Sequence, residues 1–471
     1  KNMLMKVYEI SGGKGFRTVD EIRYEYELGK EAYFTRKITF AQIEEICNVL
    51  MEFQQRMREY AITEFRCYAT SAIRNAKNQV SVLNQIKIRT GVDVIMLSNS
   101  ELRFLMYKGI QVLDIDFNKI IEKNTAILDI GSGSVQVSLF DKQALYMTQN
   151  LDIGTVKVRG FLESVENNVL DYISVLEEYI QYEFDMFKSG YLKDKDIKNV
   201  IAIGDEIKNI NRLIPELHLT DTMSYEQILY IYKKIKKASY QDIALKYGLS
   251  IEDARMVLPS VLIYKTFLER SKADTVYICA TNLCDGSVVD YAQETKKINQ
   301  DIVASAKYIG KRYRYSKVHA QYITDLALEI FDKTKKFHGL TQRDRLILEI
   351  SAILHDIGKY VNLNDPGKNG YQLIISTEIM GLSHREREEV ANIVLYNTQE
   401  LPDTDELDTA FWREEYLRIA KLSSILRLAN ALDRGHKQKL EKCSMARKGK
   451  ELIISLETNQ DITLEITRFS K

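Results

Sequence analysis

What most constrains the fold of this chain is a change of hydrophobic period near residue 299. Up to there, short apolar runs alternate with amphipathic helical stretches; from about 299 to 440 the strand signal disappears and helical spacing dominates. Strands alternating with helices call for a layered α/β sheet, and a run of helices calls for an all-α body. In the α/β portion, Thr39 with Gln42 three residues on resembles a capping box, and Ile43, Ile46, Leu50, Phe53 and Met57 follow at helical spacing. Met5–Ile10, Phe65–Ala69, Val92–Leu97, Ala126–Ile130, Val135–Phe140, Val200–Ile203 and Thr275–Ala280 read as strands, and Leu170–Met186 as a long helix. The tail from Leu452 to Ile466 alternates like a small hairpin with Asn459 in its turn.

A chain of 471 residues is too long for one ordinary core. The pattern divides it into 1–122 and 123–298, both α/β, a helical 299–440 and a small β segment, 441–471. Lysine plus arginine equals aspartate plus glutamate at 66 each, so no global field favours nucleic acid or an anionic membrane. The five cysteines are scattered without a C-x-x-C pair, which fits reduced thiols in a cytoplasmic protein. No apolar run approaches the length of a membrane span, and no signal peptide is visible. The sequence lacks an initiating methionine and runs almost at once into a strand, which points to a segment lost ahead of Lys1.

The strongest local signal is Asp129-Ile130-Gly131-Ser132-Gly133-Ser134, directly after a buried strand. Glycines let a backbone turn sharply and bring its N–H groups to an anion, hydroxyls add donors, and a strand-end carboxylate can hold a divalent cation or position water. A ligand-free glycine hairpin has the same pattern. After another strand, Ala69-Thr70-Ser71-Ala72-Ile73-Arg74 offers two hydroxyls and a guanidinium suited to phosphate, or one that caps a helix end. Leu97-Ser98-Asn99-Ser100-Glu101 then opens a helix, with Glu101 as a candidate base or a simple dipole partner.

The order Ala-Thr-Ser-Ala-x-Arg, Ser-x-x-Glu, Asp-Ile-Gly-x-Gly-Ser and Ile153-Gly154-Thr155-Val156-Lys157, continuing through Asp285-Gly286, resembles the exopolyphosphatase and guanosine-pentaphosphate phosphatase (Ppx/GppA) family. The resemblance covers nearly the whole chain. It implies an actin-like, sugar-kinase-like (ribonuclease H-like) two-lobe ATPase fold, followed by a helical HD-type domain. It also implies a homodimer and Mg²⁺- or Mn²⁺-dependent cleavage of terminal phosphoanhydrides of polyphosphate or guanosine pentaphosphate between the lobes. Thr70, Ser71, Arg74, Gly131, Ser132, Gly133, Ser134 and Gly204 would then bind phosphate, Asp129 would hold metal or water, and Glu101 would be the base. The sequence departs from the family pattern at Leu102 and Gln136, where carboxylates are usual, and at Cys284, where an arginine is. Asp205-Glu206 also stands where phosphate should approach and would repel it unless a cation lies between. These departures raise a second reading, a polyphosphate- or nucleotide-binding regulatory protein without turnover.

In the helical portion, His319 opens one helix, His355-Asp356 ends another and Asp433 lies near the end of a third. The order resembles the metal tetrad of HD-domain phosphohydrolases, and imidazoles with carboxylates suit a second divalent metal that would activate water. Hydrogen-bonded core histidines give the same pattern. Ser239–Pro259 reads like a helix-turn-helix, yet its mixed charge favours a structural helix pair over DNA binding. Lys233-Lys234-Ile235-Lys236-Lys237 is most simply a solvated face.

Overall fold

The computed structural model describes residues 2–10, 15–25, 35–110, 116–142, 144–165, 171–192, 196–214, 221–279, 281–292, 296–402, 410–440, 442–448 and 451–469. Leu170 and Ala280, at the edges of two expected elements, lie outside them. The chain forms two compact units, Lys1–Thr295 and Lys296–Lys471.

The first unit begins with an antiparallel pair, β1 (Asn2–Ile10) and β2 (Phe16–Glu25). Helix α1 (Phe40–Glu59) follows, and the Thr39/Gln42 capping box expected from the sequence closes its N-terminus. A parallel pair, β3 (Cys67–Ala69) and β4 (Val94–Met96), is connected through α2 (Ser71–Arg74) and α3 (Gln79–Thr90). Ile43, Ile46, Val49 and Leu50 of α1 and Val82 and Ile86 of α3 form one core, against which Met3, Met5, Cys67 and Val94 of the strands pack. Helix α4 (Asn99–Ile110) leads out of this lobe.

The second lobe is built on a six-stranded sheet. Strands β5 (Thr125–Ile130), β6 (Val135–Asp141) and β7 (Ala144–Leu151) form an antiparallel meander. After α5 (Thr155–Val165) and α6 (Tyr172–Phe187), β8 (Asn199–Ile203) pairs parallel to β5. Next come α7 (Asp205–Asn211), β9 (Thr222–Ser224), α8 (Tyr225–Ile235), α9 (Tyr240–Tyr247) and α10 (Ile251–Ser271). Then β10 (Thr275–Cys279) pairs parallel to β8, and α11 (Leu283–Ala292) ends the unit. The sheet order β7-β6-β5-β8-β10-β9 is the ribonuclease H-like core of an actin-like lobe, with β9 added at one edge. Helices on both faces explain why β5 and β6 are buried along almost their whole length and read as continuous apolar runs.

The expected helix-turn-helix is α9 and α10, joined through Gly248 in the left-handed region. The second helix buries Val257, Val261, Leu262, Ile263, Tyr264 and Phe267, so it is a core helix and not one that reads a groove. In the lysine run before it, Lys233, Lys234 and Lys237 are exposed around a buried Ile235.

The second unit is a helical bundle: α12 (Lys296–Arg312), α13 (Lys317–His338), α14 (Gln342–Leu354), α15 (Pro366–Ile375), α16 (His384–Tyr396) and α17 (Ala410–Ala431). Its core takes Ile323, Leu326 and Ile330 from α13, Ile347, Ile350 and Leu354 from α14, and Leu422, Leu426 and Ala429 from α17. The terminal hairpin is displaced from the expected position. Its strands are β11 (Lys442–Lys448) and β12 (Glu451–Glu457), and Asn459 lies beyond it. The last element, α18 (Thr463–Phe469), is a helix. The alternation of Ile462, Leu464 and Ile466 is overridden by tertiary pairing: the buried Glu465 accepts from the Gly435 backbone N–H (3.2 Å) and from Lys439 (3.2 Å). Among the described residues, no helix is long and apolar enough to cross a membrane.

Candidate active site

The glycine–serine loop sits at the end of β5, between β5 and β6. Its first residue closes the turn, with the Gly131 N–H donating to the Ser134 carbonyl at 2.9 Å. The start of α5 docks on it: the N–H groups of Thr155 and Val156 donate to the carbonyls of Gly131 and Ser132, both at 3.0 Å. A trans peptide points its N–H opposite its C=O, so the N–H groups of Ser132 and Gly133 face away from α5. This is the orientation an anion-binding loop needs. The approach leaves no room at Gly154, where an added Cβ would lie 2.4 Å from backbone atoms of Ser132, Gly133 and Ser134. The motif Ile153–Lys157 therefore buttresses the loop.

Beside the loop, two carboxylates converge. Asp129 pairs in register with Ile203 of β8 and Gln136 of β6, and β8 turns into α7 through Gly204. Gly204 adopts φ 99°, a conformation that favours glycine. The Cβ it lacks would lie 3.6 Å from Asp129 Oδ1 and 3.7 Å from Glu206 Oε2. Desolvation, and then the negative charge of Glu206, push Asp129 up to about 7, with the Arg103 guanidinium opposing them. Arg103 is itself buried on α4, donates to Gln136 Oε1 at 2.7 Å and reaches Thr148 Oγ1. Gln136 thus serves as an anchor for Arg103. Beneath the pair, the fully buried Tyr264 hydroxyl has no hydrogen-bond partner among the described residues, and burial with the charges of Glu206 and Asp129 raises its pKa well above the ordinary phenol range.

The remaining expected phosphate ligands are arranged differently. Thr70 precedes α2 and caps nothing with its side chain, and Ser71 begins that helix. The Arg74 guanidinium donates to the Leu97 carbonyl (2.6 Å) and to Asn99 Oδ1, bracing the turn that opens α4. Glu101 closes a reciprocal cap on the same turn: its Oε2 accepts from the Ser98 N–H (2.9 Å), and its own N–H donates to Ser98 Oγ (3.2 Å). Sequence reasoning took Glu206 as a source of repulsion and did not single out Arg103 or Tyr264. The only signal for Glu206 was its position two residues after a strand-end glycine.

In the second unit, the side chains of His319, His355, Asp356 and Asp433 come together. His319 Nδ1 lies 2.7 Å from Asp433 Oδ2, and His355 Nδ1 lies 2.7 Å from the Ala352 carbonyl. The two Nε2 atoms face each other at 3.2 Å. Asp356 lies 3.5 Å from His355 Nε2 and 3.7 Å from His319 Nε2, and Lys359 Nζ is 2.6 Å from its Oδ2. Burial holds His355 below the ordinary imidazole range, against the pull of Asp356. Burial opposes ionisation of Asp356, yet His355 and Lys359 draw it down to about 2. His436, which sequence reasoning passed over, stacks on His319 with ring centroids 3.5 Å apart.

Residues 6–295 match the Ppx/GppA phosphatase family, and residues 303–468 match domain III of Ppx/GppA phosphatases. Over 442 residues, 89% of this chain and 83% of the relative, the sequence is 22% identical to a guanosine-5'-triphosphate,3'-diphosphate pyrophosphatase of Photobacterium profundum. It is also 22% identical over 282 residues to a bifunctional 3-dehydroquinate synthase/phosphatase of Fusobacterium nucleatum, spanning 56% of this chain and 40% of that protein. Among solved structures, an exopolyphosphatase from Cytophaga hutchinsonii superposes with a TM-score of 0.54 at 16% identity, over 62% of this chain and 96% of its own. At that identity the likeness speaks for the fold.

Proposed function

The chain belongs to the Ppx/GppA phosphatase family, and from that premise we propose that it hydrolyses terminal phosphoanhydrides of polyphosphate or of guanosine pentaphosphate at the Asp129–Glu206 pair. The observation that carries the reading is the convergence of these two carboxylates next to the glycine–serine loop. They supply acidic groups that Leu102 and Gln136 do not.

In this reading the N–H groups of Ser132 and Gly133 hold the terminal phosphoryl group, where fixed donors stabilise charge that develops on its oxygens. Asp129, with its pKa near 7, accepts a proton from the attacking water as the bond from water oxygen to phosphorus forms and the anhydride P–O bond breaks. A base poised near the working pH suits that task. Desolvation, and then the charge of Glu206, keep Asp129 in this range, and Arg103, held by Gln136, opposes them. The oxygen donors of Glu206 fit a hard divalent cation such as Mg²⁺ or Mn²⁺, with the Asp129 carboxylate kept for the proton of water. Such a cation would neutralise the pair so that an anionic substrate can approach. Arg74 and Glu101 act indirectly, by fixing the turn from which α4 projects Arg103.

The test is phosphate release from polyphosphate and from guanosine pentaphosphate with Mg²⁺ and with Mn²⁺, by wild type and Asp129→Ala. Release by wild type that falls at least 100-fold in Asp129→Ala is expected. Tight binding of either substrate with no release by wild type would replace this reading with a binding protein.

A further inference from the structure

We propose that Arg23 is a substrate-binding residue that grips the phosphoryl group next to the terminal one, giving up Asp205 to do so. The proposal rests on the reading that a phosphate chain meets the glycine–serine loop and the Asp129–Glu206 pair.

Alternation along β2 sets where Arg23 points, because successive strand side chains face opposite ways. Ile22 packs on the core of the first lobe together with Met3 and Met5, so Glu21 and Arg23 share the other face. Lys6, opposite Glu21 in the β1–β2 register, joins them. That face is turned to residues of the second lobe: Lys6 Nζ lies 2.9 Å from Asp285 Oδ1, and Arg23 Nη1 lies 3.1 Å from Asp205 Oδ2. Asp205 directly follows Gly204, whose missing Cβ would lie 3.6 Å from Asp129 Oδ1 and 3.7 Å from Glu206 Oε2. Neighbouring Cα atoms are about 3.8 Å apart, so the Arg23–Asp205 ion pair stands beside the carboxylate pair.

A phosphate chain brings more negative charge to this place than its terminal group alone, and the other cations are committed. Arg74 donates to the Leu97 carbonyl (2.6 Å) and to Asn99. Arg103 is buried and holds Gln136 and Thr148. Lys6 sits between Asp285 and Glu21 with its side chain only 9% exposed. Arg23 differs. Its side chain is 32% exposed, Glu21 is a distant second partner at 3.5 Å, and its Nε has no hydrogen-bond partner among the described residues.

An ion pair this exposed holds its partners weakly. A planar guanidinium on phosphate oxygens makes paired, charge-assisted hydrogen bonds, which are stronger. Phosphate therefore displaces Asp205 from Arg23. Asp205 keeps a cation when this happens, because Lys208 Nζ is 3.8 Å from its other oxygen, Oδ1. The repulsion expected of Asp205 from the sequence is thus neutralised before and after the exchange. Recognition of this kind selects linked phosphoryl groups, as in polyphosphates and nucleoside polyphosphates, over phosphate monoesters.

The experiment is isothermal titration calorimetry of the full chain with methylenediphosphonate, whose P–C–P bridge cannot be hydrolysed, and with orthophosphate, each in excess Mg²⁺. Wild type should prefer the diphosphonate. Arg23→Ala should weaken diphosphonate binding about tenfold or more, and Asp205→Asn, which frees Arg23, should tighten it about 2–5-fold. Misfolding cannot produce a gain, so the second variant keeps the test independent of stability. Arg23→Ala binding the diphosphonate as wild type does overturns the proposal. So does equal weakening by both variants, which is the pattern of a structural latch. The expected pattern in a wild type that releases no phosphate from polyphosphate would sink hydrolysis and still sustain the role of Arg23.

Discussion

At the residue scale, the acidic groups divide into those committed to the fold and those left for chemistry. Glu101 is spent on its helix cap. Its replacement by glutamine should cost about 0.5–1 kcal/mol in a denaturant titration and leave kcat within about threefold. Asp129 carries a different signature. Its folded pKa is raised to about 7 from 3.8, so between those values the native state holds a proton that the unfolded chain has released. Stability must then fall as pH rises through that window. Without divalent cation, wild type should lose stability from pH 5 to 8 relative to Asp129→Asn, on the order of 2–4 kcal/mol. Thermal melts of the two proteins across that range read the difference directly, and parallel curves would contradict the desolvated pair. The sequence made the loop and Asp129 visible because both follow a buried strand. Glu206 looked like repulsion, because nothing in a linear reading shows that β8 pairs beside β5 and so brings the two carboxylates together.

At the element scale, the central sheet was legible. Strands β5, β6 and β8 are buried and apolar, β10 is half-buried, and their positions followed from their apolar runs. The tail was not. Strand β11 carries Lys442, Ser444, Arg447 and Lys448, too polar to announce itself, so the alternation pairs β12 with residues 460–466 and misses its true partner upstream. His436 escaped for a related reason: it lies after the helix ends, and only the Asp433-centred turn delivers it. The docking of α5 on the phosphate loop gives an element-level prediction. Gly154→Ala places a Cβ 2.4 Å from the loop backbone, so it should destabilise the first unit by about 1–3 kcal/mol or more. It should also loosen the glycine–serine loop more than the rest of the first unit. Differential hydrogen exchange centred on residues 131–134 would show this, and an unchanged exchange pattern would refute the buttress.

At the scale of the whole molecule, the chain consists of two compact units, each with a core of its own. A ligand that binds only one native unit stabilises that unit alone, by about 2.7 kcal/mol at 100 times its dissociation constant. Polyphosphate with Mg²⁺ should therefore shift the unfolding of the first unit and leave that of the helical unit in place. Calorimetry with and without the ligand separates the two. The central claim is that chemistry in the first unit belongs to the Asp129–Glu206 pair and not to Glu101. The most direct test is kcat for phosphate release by Glu206→Gln and Glu101→Gln, measured side by side on the same substrate. A fall of about 100-fold or more is expected for Glu206→Gln with Glu101→Gln near wild type, and the reverse order would contradict the assignment.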